Sequence, residues 1–422
     1  MSPEERMTID ERRKYLHKMR IRYWQAQSRE ARSQLLDEMQ AVTELHRKSL
    51  IRLINGDLAR KPRRKQRGKT YGVEVRAAVQ VIAQSLDYPC AERLQPNLVW
   101  MAQHLEKHSE LKTSQAVREQ LAQISVSTLR RMLGSVGKEP DRLAHHQERS
   151  GVSRTQLQAV PMRRIAWNEP RPGHFETDLV HHGGMSTEGQ YIHTLQMIDV
   201  ATGWSELIPI LGRSYLAMQD GFAGILHRLP FAVLELHPDN GSEFFNHFLL
   251  QFWKDKVKGL EWSRSRPFQK NDNRFVEENN FSLVRAYVGY QRMDTIAHLQ
   301  LLHPLYDQLW LYHNFFQPVM RLKEKVQPAN QTRSQRRYDA AQPPFDRLCA
   351  KGVLEASVQA RLLALREATN PCQVRRSIEQ LTTQLFHLPQ AKQGSTEDVH
   401  QTLGLWKSGL FAKAQEPARQ DP

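Results

Sequence analysis

Three carboxylates, Asp178, Asp239 and Glu277, occupy places where an acidic side chain needs a partner. Asp178 interrupts the apolar run "FETDLV", and a charge inside a central strand is costly unless it is paired or bound to metal. Asp239 follows a strand-length run holding Phe231, Val233, Leu234 and Leu236. It therefore lies at that strand's carboxyl end, the edge at which α/β sheets take ligands. Glu277 opens the helical stretch "FVEENNFSLVRAYVGY" after a polar loop at 269–274. Three acids on three elements that can reach one sheet edge are what a pair of divalent ions requires. Mg²⁺, or Mn²⁺ in its place, prefers oxygen ligands and keeps positions open for phosphate and water. Two such ions roughly 4 Å apart activate an attacking oxygen and stabilise a leaving one. No convincing Ser-His or Cys-His set competes, so the chemistry expected is phosphoryl transfer without a protein nucleophile.

The segment "ELHPDNGSEFFNHF" (235–248) admits two readings. Asn240-Gly241 is a hairpin signal, because both turn positions need positive φ. The flanks favour strand, tight turn, helix instead. Phe244, Phe245, Phe248, Leu249, Phe252 and Trp253 recur at the spacing of one helix face, Ser242 is a good N-cap, and Glu243 suits the positive end of the helix dipole. Asn240 and Gly241 then shape the turn, Asn240 adds a hydrogen bond behind the metal ligands, and His237 either orients Asp239 or packs. Arg264, Arg266, Lys270 and Arg274 surround the glutamate loop as candidate phosphate contacts, with a solvated surface as the competing role. Asp199 in "MIDVATGW" reads as a turn-capping aspartate, and Glu176 as a structural or supporting neighbour of Asp178. His181-His182 lacks the companions of a zinc site. Glu277 and Glu278 point about 100° apart on a helix, so only one can ligate a given metal. Glu278 is expected to pair with Arg285.

The elements that must position these residues follow from periodicity. "GHFETDLVHHG" (173–183), "QYIHTLQMIDVAT" (190–202) and "GWSELIPIL" (203–211) read as an antiparallel meander. A helix near 214–228 leads to the strand before Asp239, "GLEWSRSRP" (259–267) is a fifth strand, and a long helix near 296–316 closes the region. The fold class expected is α/β, a mixed five-stranded sheet flanked by helices. An all-α region precedes it and a small helical tail follows.

Ahead of this core the chain is basic. The 422 residues carry a net charge of +15, and residues 1–150 hold 29 Lys and Arg against 18 Asp and Glu, whereas 151–330 are balanced. Excess cation at one end points to a polyanion, nucleic acid first. Three helical runs at 11–27, 29–42 and 44–54, with Ser28 and Thr43 as caps, suit a helix-turn-helix over 1–57. Leu35, Leu36 and Met39 stripe the second helix. Leu50, Ile51, Leu53 and Ile54 give the third a broad inner face opposite Lys48, Ser49 and Arg52, and Arg47 reaches past that face to water. A basic linker at 58–71 contains Arg63, Arg64 and Lys65. A second helix-turn-helix-like block spans 72–136, with Thr113 and Ser125 or Ser127 as caps and Arg130 and Arg131 on its last helix. Linkers at 137–167 and 326–344 bracket the core at 168–325, helices follow at 345–388, and 389–422 is expected to be disordered. Cys90, Cys349 and Cys372 stand too far apart in sequence for a disulfide framework, no stretch has the length of a membrane span, and the N-terminus lacks a signal-peptide core. The setting expected is cytosolic.

Together, "ETDLV", "HPDNGSEF" and "RPFQKNDNRFVEENN", with 37 residues between Asp239 and Glu277, resemble the D,D,E motif of retroviral-integrase-type transposases, and the flanking regions are similar to bacterial insertion-sequence members of that class. The resemblance implies an RNase H-like core in which Asp178 bridges two Mg²⁺ ions while Asp239 and Glu277 hold one each. It favours Glu277 over Glu278 because Glu277 directly follows Val276. It also implies 3′-end cleavage of element DNA, strand transfer into target DNA, at least a dimer on DNA, and a bacterial cytoplasmic, nucleoid-associated protein. The loop before the glutamate departs from the family in lacking a Gly. The competing expectation is a transposase-derived DNA-binding regulator without the chemistry.

Overall fold

In the computed structural model the described residues are 7–58, 71–134, 162, 165–166, 168–186, 188–239, 241, 243–266, 272–326, 335–391 and 397–408. The chain divides into two compact units, Met1–Thr70 and Tyr71–Pro422.

The first unit holds α1 (Ile9–Gln25), α2 (Arg29–Thr43) and α3 (Arg47–Asn55) around Leu16, Met19, Leu36, Met39, Leu50 and Ile54. Thr8 and Glu11 form a capping box at α1, and Ser28 caps α2 as expected. Thr43 does not cap α3. Its hydroxyl donates to the Met39 carbonyl at 2.5 Å inside α2, Glu44 turns left-handed at φ 58°, and His46 caps α3 instead. The inner face of α3 is narrower than expected, since Ile51 is 38% exposed. Arg47 does not reach water freely: it pairs with Asp37 and donates to Ser33 Oγ at 2.6 Å. Lys48 and Arg52 are exposed.

In the second unit α4 (Val73–Ser85), α5 (Ala91–Leu94), α6 (Leu98–Lys107), α7 (Gln115–Gln123) and α8 (Val126–Leu133) pack into one apolar cluster with Trp204, Trp310, Phe315 and Phe345. Polar contacts stitch the same boundary. Tyr312 Oη donates to the Ser85 carbonyl at 2.9 Å, and Gln317 Nε2 donates to the Leu86 carbonyl at 2.9 Å. Ser125 caps α8, but Ser114 rather than Thr113 caps α7, because Thr113 is bound by the Glu106 carboxylate.

The sheet runs β3 (Ser205–Leu211), β2 (Ile192–Asp199), β1 (His174–His181), β4 (Glu235–Pro238), β5 (Glu261–Trp262) in spatial order. The first three strands are antiparallel, while β4 and β5 run parallel to β1 and to each other in turn. This is the mixed five-stranded sheet expected, with β5 shortened to two residues. The helix α9 (Tyr215–Arg228) and α10 (His247–Lys256) cover one face through Phe222, Leu249 and Trp253. On the other lie α11 (Arg274–Asn279), a π-helical turn (Asn280–Arg285), α12 (Ala286–Val288) and α13 (Ile296–Phe315). No helix among the described residues is long and apolar enough to cross a membrane.

The stretch 326–344, expected to be a bare linker, instead contributes β7 (Gln335–Tyr338), which pairs antiparallel with β6 (Leu322–Val326) at the end of the expected core, and the chain runs on into α14 (Pro344–Ala350). Then come α15 (Ala356–Ala368) and α16 (Pro371–Phe386), whose Val374, Ile378 and Leu385 pack with Leu299 and Leu302 of α13. Part of the tail expected to be disordered is built. Residues 397–408 form two short 3₁₀ turns, and Trp406 Nε1 donates to Asp220 on α9 at 3.1 Å.

Candidate active site

Sheet register places the two aspartates. Thr177 of β1 pairs with Pro238 of β4 in parallel, so the next residues along the two strands are Asp178 and Asp239. Asp178 Oδ1 accepts from the Leu179 amide at 2.8 Å, and its Oδ2 accepts from Asn280 Nδ2 at 2.5 Å. Asp239 Oδ1 accepts from the Gly241 amide at 2.8 Å. Burial pushes the Asp239 carboxyl up to about 7, with the charge of Asp178 next in effect and those of Glu243 and Glu277 adding to it. Burial also pushes Asp178 upward, opposed by its hydrogen bonds and by His181. Two carboxylates thus share one pocket of unfavourable negative charge.

Sequence reasoning did not assign Glu243 to this site. It lies in a turn ahead of α10, its side chain is 12% exposed, and Arg213 Nη1 stands 3.8 Å away. The helix begins four residues later than Glu243, with Asn246 rather than Ser242 as its cap, so Glu243 is free of the helix and leans on the aspartates. Ser242 itself lies outside the described residues. The signal available was an acid four positions after Asp239. At Gly241 the constraint is space rather than φ: a Cβ there would meet Glu243 Cδ at 2.8 Å and Asp239 Oδ1 at 2.9 Å, so those side chains would have to shift.

Glu277 sits exposed in the first turn of α11, near enough for its charge to act on Asp239. Among the described residues no group of three or more His, Cys, Asp or Glu side chains is close enough to hold a metal ion. The structure therefore brings Asp178 and Asp239 together and leaves Glu277 at the margin. The donors that do converge are hard carboxylate oxygens whose repulsion a cation would relieve, and that chemistry fits Mg²⁺ or Mn²⁺. Glu278 does not pair with Arg285. The π-turn moves Arg285 off the expected face, and its guanidinium donates to the Gly289 carbonyl at 3.0 Å and the His181 carbonyl at 2.5 Å.

His237 is buried and hydrogen-bonded to its neighbours on the next strand. Its Nδ1 shares a hydrogen bond with Ser263 Oγ at 2.7 Å, and Ser263 in turn donates to Glu235. Asp199 is the turn-capping residue expected, accepting from the amides of Gly173 and Thr202, each at 2.8 Å. His182 is buried against Thr194 at 2.7 Å. Glu176 is fully buried, and its Oε2 accepts from the Phe275 and Val276 amides at 2.7 and 3.0 Å.

Of the cations expected to meet phosphate, Arg264 is only 5% exposed, the wrong place for a surface contact. Arg266 makes a two-pronged pair with Asp272, both contacts at 2.9 Å, with its side chain 48% exposed. Arg274 lies 4.3 Å from the Phe275 ring centroid. Arg130 pairs with Glu92, and Arg131 is exposed. Asn240, Lys270, Arg63, Arg64 and Lys65 lie outside the described residues.

No family model matches the chain. It is 33% identical over 328 residues to the "Uncharacterized protein y4rM" of Sinorhizobium fredii (strain NBRC 101917 / NGR234), covering 78% of this chain and 92% of that protein. Among solved structures it is similar to the catalytic core domain of BIV integrase, at 15% identity and a TM-score of 0.25, over 43% of this chain and 96% of that one. It is also similar to a chain of the simian T-cell lymphotropic virus intasome in complex with PP2A regulatory subunit B56 gamma. There the identity is 14% and the TM-score 0.25, over 44% of this chain and 59% of that one. Neither superposition is close enough to define the fold.

Proposed function

The chain belongs to the family of the Sinorhizobium fredii protein y4rM, and from its site we propose that it is a DNA transposase of the retroviral-integrase type, a divalent-metal-dependent polynucleotidyl transferase with an RNase H-like core. The observation that carries this reading is the placement of Asp178 and Asp239 just past the last paired residues of two parallel strands, where the charge of Asp178 raises the proton affinity of Asp239. Such a pair is unstable as two charges and suited to cations. The strand order, three antiparallel followed by two parallel, is the one expected of an RNase H-like core.

In this reading Asp178, Asp239 and Glu277 hold two Mg²⁺ or Mn²⁺ ions. When bound, the ions supply activation of the attacking oxygen and stabilisation of the leaving one. The chain's own residues prepare the place. Asn280 and the Leu179 amide fix the Asp178 carboxylate, and the Gly241 amide fixes that of Asp239. Gly241 leaves room for the side chains of Asp239 and Glu243. The substrates are the terminal repeats of an insertion sequence and a target DNA, and pairing two ends calls for at least two copies of the chain. Lys48 and Arg52 on α3, the last helix of a three-helix unit, and Arg131 on α8 are the exposed cations proposed to meet phosphate. The bacterial cytoplasm, at the nucleoid, is the proposed location.

A second reading, a transposase-derived DNA-binding regulator without catalysis, is favoured by the absence of a third carboxylate within metal-holding distance among the described residues. One assay separates the two. The full chain is incubated with labelled element-end DNA and Mg²⁺ or Mn²⁺, beside Asp239→Asn. Nicking and joining by the wild type alone, with equal DNA binding, is the expected result, and equal products from both proteins would overturn the transposase.

A further inference from the structure

The helix that carries Glu277 has no cap of its own. Asn273 stands at its N-cap position without a side-chain hydrogen bond to the helix, and the orphan amides of a first turn need acceptors. The acceptor comes from the sheet. Glu176 Oε2 receives the amides of Phe275 and Val276, the second and third residues of α11, at 2.7 and 3.0 Å. These are the positions a local Ser, Thr or Asp cap would serve. Glu176 is 0% exposed and lies two residues before Asp178 on β1, hence on the same face of the strand. Two guanidiniums flank the joint: those of Arg274 and Arg321 sit 4.3 and 4.6 Å from the Phe275 ring centroid, and both act electrostatically on Glu176. Val276, whose amide is bound, immediately precedes Glu277.

We propose that Glu176 is a positioning residue, which caps α11 from the neighbouring strand and thereby holds Glu277 within electrostatic reach of Asp239. The proposal rests on the transposase reading for its consequence, but its geometry does not. One strand then serves both purposes: Asp178 meets the metal, and Glu176 holds the element that delivers the third acid. The arrangement ties the first turn of the helical stretch 274–288 to the sheet.

The test uses the full chain with Glu176→Ala and Glu176→Gln. Backbone hydrogen exchange is followed in peptides covering 272–279 and, as a control, 192–211. In Glu176→Ala exchange in 272–279 is expected to speed up about tenfold, the effect of losing a cap, with the sheet peptide unchanged. The Mg²⁺ concentration for half-maximal nicking is expected to rise about tenfold or more, as for losses behind a metal ligand, while the rate recovers at saturating Mg²⁺. Glu176→Gln keeps an acceptor oxygen and should fall between wild type and Ala in both readouts. Should Ala fail to fold, the intermediate shift in Gln decides. Unchanged exchange at 272–279 in Ala, or Gln indistinguishable from wild type in both readouts, would overturn the proposal. A wild type that cuts no DNA, yet shows selective exchange in Ala, would sink the transposase reading and leave the anchor standing.

Discussion

Asp178 and Asp239 are held by strands, and Glu277 by a helix of six residues followed by a π-helical turn. The first two owe their closeness to the register of a parallel pair, which no side chain can shift without breaking the sheet. Glu277 owes its place to borrowed contacts: Glu176 at the start of its helix, and Asn280 just beyond its end reaching back to Asp178. Strands give fixed charge, and the short helix gives a group whose position is conditional. π-turns recur at functional sites, where they offset a side chain from the regular helical face.

The strongest way to break the comparison is to remove each acid in turn. Asp239→Asn is expected to cut the nicking rate about 10³-fold, several kcal/mol of lost charge stabilisation, with DNA binding unchanged. Glu277→Gln should match it, whereas the exposed Glu278→Gln should stay within about threefold, the range of a neutral surface change. Equal losses at Glu277 and Glu278 in a gel-based nicking assay would show that the helix does not select one of them.

Next is closeness itself. Gly241→Ala would press a methyl group on Asp239 Oδ1 and Glu243 Cδ, both ends of movable side chains. The fold should survive, with the melting temperature near that of wild type, while the rate falls about 10²-fold, as for a misplacement near 1 Å. A rate equal to wild type would show that the Asp239 carboxylate tolerates displacement.

A smaller effect sharpens the electrostatics. Asp239 has an ordinary value of 3.8 and is raised to about 7 in the fold, so between those values the native state binds more protons than the unfolded chain. Stability without metal should therefore fall as pH rises from about 4 to 7 and stay low above it. Mg²⁺ should raise the melting temperature at pH 8 and hardly at pH 5, and Asp239→Asn should flatten both responses. A Mg²⁺ effect equal at the two pH values would contradict a site built from that carboxylate. Smallest of all, Glu243→Gln removes one of the charges that raise Asp239, so the pH at which stability drops should move down. No movement, read by the same melting series, would show that Glu243 acts only through Arg213.

Much of the sheet was legible because β1, β2 and β3 carry long apolar runs bounded by Gly, and Asp178 and Asp239 stood out as charges at the wrong and the right place in strands. Helix starts were harder, since several hydroxyls compete near each: Thr43 bonds backward into α2 and Thr113 bonds to Glu106, and His46 and Ser114 take their places. The partnership of Glu243 with the aspartates was hidden because no regular period links a turn residue to a strand end. Glu176 was visible as a neighbour of Asp178, but alternation tells which face a residue takes, not which helix lands on it. The hairpin β6–β7 and the docked Trp406 were missed because both lie in polar stretches whose few anchoring residues composition averages away.

The helices from Val73 to Leu133 share their interior with Trp204, Trp310, Phe315 and Phe345. For anyone preparing shortened versions of this protein, the acidic sheet therefore cannot be cleanly cut away at residue 136. A fragment beginning there would carry a raw indole-lined flank into water and precipitate, while one beginning at Tyr71 keeps that flank sheltered.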